Sequence, residues 1–158
     1  MSRVLCNSLL SQFRSTWRMM GQALEEIDDE RWLWGVKGWT YADTIYHLVI
    51  TQEFYIRDKP EGMRWGSLYG DKEVKESSPS EYYPTREVLM DYKKVIERKV
   101  EDYLCSMNDS DLLGTDGFSE HLPTIHEKLL YLVRHNGHHI GELTLMHREL
   151  DLGRIKWV

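Results

Sequence analysis

The chain has 158 residues, with 20 Lys and Arg against 26 Asp and Glu, for a formal net charge of −6. That balance, without a basic run, argues against a nucleic-acid footprint and against a polybasic membrane anchor. At 41% hydrophobic and 11% aromatic the chain is too apolar to be disordered. No apolar stretch reaches the ~18 residues of a membrane helix, and two cysteines are too few for a disulfide scaffold or a thiolate zinc site.

The expectation is one domain over residues 1–158, cytoplasmic and reduced, with neither a signal peptide, a nucleic-acid partner nor a membrane partner. Apolar residues recur at Cys6, Leu10, Phe13, Trp17, Met20, Leu24 and Ile27. That 4,3 spacing predicts a first helix, ended by Asp28-Asp29 and the glycine- and tryptophan-rich stretch Gly35 to Trp39. Thr40, with Asp43 three residues on, signals a capped second helix that Asp58-Lys59-Pro60 stops. Residues 58–84 hold three prolines and no period; they read as a lid or partner surface, or as a bland mobile loop, carrying Arg57 at its edge, Arg64, Trp65, Tyr69, Tyr82 and Tyr83. Thr85 caps a third helix striped by Leu89, Tyr92, Ile96, Val100, Tyr103 and Met107. Asn108 to Pro123 reads as a loop. Thr124 and Glu127 then form a capping box for a fourth helix with a seam from Ile125 to Leu150. No convincing strand is present. The expected fold is all-α, a four-helix bundle with a long crossover between helices 2 and 3.

The chemistry concentrates in the fourth helix, in Arg134-His135-Asn136-Gly137-His138-His139-Ile140-Gly141-Glu142. His135 and His139 are one turn apart on one face, so both imidazoles reach a single metal. A hydrogen-bonded core histidine is the competing reading of each. His47, mid-way along the second helix, supplies a third imidazole, and three imidazoles leave an open coordination position. His138 lies toward the flank of the helix, in line with Arg134 and Tyr131, where it would act as a nearby acid or base. The patterns His-Glu-x-x-His, Glu-x-x-His and Gly-x-Ser-x-Gly are all absent, which argues against zinc proteases, di-iron carboxylate bundles and serine hydrolases.

The capped start Trp39-Thr40 leading to His47-Leu48, and the run His135-Asn136-Gly137-His138-His139-Ile140-Gly141-Glu142 with its leucine-rich continuation to Leu152-Gly153, resemble the DinB/YfiT-like superfamily over nearly the whole chain. The resemblance implies an up-up-down-down-type bundle, often dimeric. It also implies a divalent metal, zinc or nickel most often, on His47, His135 and His139. Members include thiol S-transferases that use bacillithiol or mycothiol, and a mycothiol-dependent isomerase. A low-molecular-weight thiol and a small-molecule substrate are therefore implied, and the reading is a metal-dependent thiol transferase or hydrolase. A non-catalytic metal- or ligand-binding stress protein on the same scaffold, or a plain bundle with core histidines, are the alternatives. The family usually reads Arg-Gly-Gln where this chain has Ile140-Gly141-Glu142. Glu142 is thus a fourth ligand, a general base, or a partner that orients a ligand histidine; the third role is preferred. A homodimer is expected from the resemblance and from six Trp and nine Tyr, residues enriched at interfaces. Of the other residues, His121, His126 and His147 read as surface or capping groups. Cys6 and Cys105 read as small buried hydrophobes. Trp32, Trp34 and Trp39 read as a cover on the bundle end.

Overall fold

A computed structural model describes residues 1–65 and 84–158. The elements in chain order are α1 (Val4–Glu26), β1 (Gly35–Val36), β2 (Trp39–Thr40), α2 (Tyr41–Tyr55), α3 (Arg86–Cys105), α4 (Asp109–Leu112) and α5 (Ile125–Glu149). The four long helices form a ring: α1 packs on α3 and α5, and α2 packs on the same two. Helices consecutive in sequence, α1 and α2, are therefore diagonal across the bundle. All seven residues of the first predicted seam are buried.

The helix ends follow the expected chemistry with two differences. Thr40 and Asp43 form the full reciprocal box at the start of α2. At α5 the Thr124 hydroxyl accepts from the Glu127 N–H, but the Glu127 carboxylate meets that hydroxyl rather than a backbone N–H. The start of α1 has no cap of its own. Asp109, far along the chain, supplies one by accepting from the N–H groups of Val4, Leu5 and Cys6 at 2.8, 3.0 and 3.2 Å. Burial works against its charge, yet the bonds from Ser2 Oγ and from these amides outweigh that and hold the carboxyl below its ordinary range.

Two predicted loops contain structure. The stretch Gly35 to Trp39 is a two-residue antiparallel hairpin, pairing Gly35 with Thr40 and Val36 with Trp39. Lys37 and Gly38 turn it with φ of 53° and 84°, the left-handed pair that such tight hairpins need. Gly35 is required there, because a Cβ would lie 2.2 Å from the Trp39 carbonyl oxygen. Strands this short carry no periodicity, which is why the sequence reads as having none. The loop from Asn108 to Pro123 contains α4, closed by a box between Asn108 and Asp111. Trp32 is buried at this end of the bundle and donates from Nε1 to the Pro84 carbonyl at 3.3 Å; Trp34 and Trp39 pack half-buried on the core.

Cys6 is buried as expected, but Cys105 is exposed, because the last turn of α3 presents it to solvent while its neighbour Leu104 fills the core. His147 is also corrected: it is 1% exposed rather than on the surface. Its Nδ1–H donates to the Gly153 carbonyl at 2.7 Å, and its Nε2 lies 2.7 Å from the Tyr41 hydroxyl. That pair ties the segment after α5 to the start of α2. Of the residues assigned to a lid, Tyr69, Tyr82 and Tyr83 lie outside the described residues.

Candidate metal centre

α2 is walled in on nearly every side. From Tyr41 to Gln52 every residue is buried except His47, which is half-buried. His47 is therefore the helix's window to solvent over that span. Across the α2/α5 interface it meets His135 and His139, which share a face of α5 because four residues turn a helix by about 400°. The ring centroids are 4.8 Å apart for His47 and His135, 4.6 Å for His47 and His139, and 4.5 Å for His135 and His139. The Nε2 atoms of His47 and His135 are 2.8 Å apart. One nitrogen from each of the three rings lies within 4.8 Å of the others, close enough to hold one metal ion.

The electrostatics favour a neutral His135. Burial, then the neighbouring rings of His139 and His47, lower the pKa of His135 to about 4. Its Nδ1 and the Oδ1 of Asn136 are buried and make no bond of good geometry, although the Asn136 amide offsets part of the shift. Such a ring offers Nε2 as a lone-pair donor near neutral pH. His139 Nδ1 lies 2.6 Å from Glu142 Oε2. A carboxylate accepts there, so Nδ1 carries the proton and Nε2 is left with its lone pair. Three imidazole nitrogens with a carboxylate behind one of them suit a divalent transition ion.

His138 is directed elsewhere. Its side chain is 67% exposed, against 14% for His139, and its Nε2 is 3.4 Å from Glu142 Oε1. Glu142 thus stands between an inner histidine and an outer one, and these three also form a cluster whose ligand atoms lie within 4.8 Å.

Aromatic rings flank the triad. Trp39, fixed by its Nε1–H bond to Thr44 Oγ1, stands edge-on to His47 at 5.9 Å. Tyr131 lies 6.0 Å from His135 and continues into Tyr55 and Phe118. Arg134 sits 5.3 Å over Tyr131. Below this wall lies a residue the sequence reading missed. Lys128 is 0% exposed, pairs with Asp116, and donates to the Arg57 carbonyl at 3.0 Å. The signal was there: Lys128 is one turn before Leu132 on the buried side of α5, where a cation needs a partner.

A helical bundle that gathers three imidazoles from two helices at a solvent window defines a histidine-cluster protein compatible with metal binding. The family model of the DinB superfamily matches residues 12–143, a span that includes all three histidines and Glu142. The chain belongs to the DinB superfamily. It matches no curated protein.

Proposed function

We propose that His47, His135 and His139 hold one divalent cation, zinc or nickel, and that the protein is an enzyme of thiol S-transfer or hydrolysis acting on a small molecule. The observation that supports this most is the triad itself: three nitrogens, drawn together from positions 88 residues apart, with an open side toward solvent. A cation bound there would lower the pKa of a thiol or water and so supply a nucleophile near neutral pH.

The chain's own residues set up that chemistry. Glu142 holds His139 in the tautomer that leaves Nε2 as a donor. His138, exposed and 3.4 Å from Glu142, is the outer acid or base of the site. Trp39 and Tyr131 wall the site and restrict water. The reading includes one domain over residues 1–158, a homodimer, and a cytoplasmic setting. Two unpaired thiols support that setting, and no helix among the described residues is long and apolar enough to cross a membrane.

Elemental analysis of untagged protein tests the proposal. About one metal per chain is expected in the wild type, and less than about a tenth of that in His47→Ala, His135→Ala and His139→Ala. Two irons per chain, or metal retained in all three variants, would overturn it. An assay with several low-molecular-weight thiols and a panel of electrophiles then separates transfer from hydrolysis. Metal binding with no turnover in that assay would favour the non-catalytic alternative.

A further inference from the structure

A second site lies on the other side of α5. Gly137, Gly141, Thr144 and Arg148 follow one another at 4,3,4 spacing, and Gly141 is turned about 200° from His139. Between this stripe, α1 and the segment after α5 is a cavity of about 440 Å³, within the range of small-molecule pockets. Its floor is apolar: Ile140 and Ile155 are buried there, and Leu145 and Trp157 form an exposed apolar rim. The glycines recess the wall, because a Cβ at Gly137 or Gly141 would meet nothing within 4 Å. The segment that forms the far side is held in place. The Lys156 N–H donates to Gln22 Oε1 at 2.7 Å, and Gln22 Nε2 donates to the Lys156 carbonyl at 3.3 Å.

The polar groups of the cavity are asymmetric. The hydroxyls of Thr16 and Thr144 are bonded to the carbonyls of Phe13 and Ile140 in their own helices, both at 2.8 Å. Arg148 and Arg154 line the same cavity, and among the described residues neither has an ion pair or side-chain hydrogen bond. Two uncommitted guanidiniums on one cavity, Arg148 from α5 and Arg154 from the segment after it, are notable in a chain whose acids outnumber its bases 26 to 20. Guanidinium recognises carboxylate through paired N–H bonds. An apolar floor with such a pair at its edge fits a ligand of matching polarity.

We infer that this cavity binds a single-chain amphipathic carboxylate, with the head on Arg148 and Arg154 and the tail over Ile140 and Ile155. The site is separate from the histidine triad and does not depend on metal.

Calorimetric titration of the full chain with decanoate tests this. One equivalent binds, and decanol, which lacks the charge, binds at least about tenfold more weakly. The Arg148→Gln/Arg154→Gln variant loses at least about tenfold in decanoate affinity. Gly141→Leu, whose side chain fills the cavity without a clash at Cβ and which favours the helix, abolishes binding. His135→Ala binds decanoate as the wild type does. Equal affinity for decanol and decanoate, or unchanged binding in both variants, overturns the inference. So does a wild-type dimer that Gly141→Leu splits and that takes up no decanoate, because the face then joins two copies. Affinity for phosphatidylglycerol vesicles with none for free decanoate also overturns it.

Discussion

The 2.6 Å contact between Glu142 and His139 Nδ1 is the most informative bond to cut. Replacing Glu142 with alanine removes a hydrogen bond from His139, a proposed ligand, frees its ring to rotate and lowers its basicity. Loss of such a partner weakens metal binding by about 10–100-fold, or about 1.4–2.7 kcal/mol. Glu142→Gln keeps an oxygen that can accept from Nδ1–H but removes the charge, so its loss is smaller than that of the alanine variant. His138→Ala removes a 3.4 Å contact to Glu142 and an edge-on ring contact to His139 from a side chain that is 67% exposed, and it leaves metal affinity unchanged. His139→Ala empties the site. Competition with a chromophoric chelator, run on all four variants beside the wild type, orders them as His138→Ala, Glu142→Gln, Glu142→Ala, His139→Ala from strongest to weakest. A Glu142→Ala protein with wild-type affinity would refute the orienting role. A His138→Ala protein without metal would refute the whole register of ligands on α5.

Lys128→Met leaves the half-buried Asp116 carboxylate, 12% exposed, without its cation and destabilises the fold by about 2–4 kcal/mol in urea unfolding; adding Asp116→Asn recovers part of that, and a double variant no better than the single would count against an ion-pair origin. Metal-free protein loses stability as pH falls. Unfolded His135 takes up a proton from about pH 6.5 downward, whereas the folded residue does so only near 4. The unfolded state holds more protons in that window, so its population grows as acid is added. A melting temperature flat from pH 7 to 4.5, or one that rises, would contradict this assignment, with His135→Gln as the control that flattens the profile. A thiol reagent titrates one cysteine at once, Cys105, and the other only on unfolding, because Cys6 is 1% exposed and burial raises its thiol above the ordinary range; two fast thiols in the folded protein would be the contrary result.

The four long helices were legible in the sequence because their causes are local. A 3.6-residue period, the hydroxyls of Thr40, Thr85 and Thr124, and Pro60 all act within a few residues of where they stand. The shared face of His135 and His139 follows from the same period. What the sequence did not determine is which faces meet. His47 joins the pair only because α2 packs against α5, and α1 and α2 lie diagonally although they are neighbours in sequence. The same packing buries His147 on Tyr41 and sets Lys128 on the Arg57 carbonyl, placements that depend on partners far along the chain. The hairpin at Lys37-Gly38 was illegible because two-residue strands have no period. Asp109 as the cap of α1 was illegible because a carboxylate can cap any helix end that the fold brings to it.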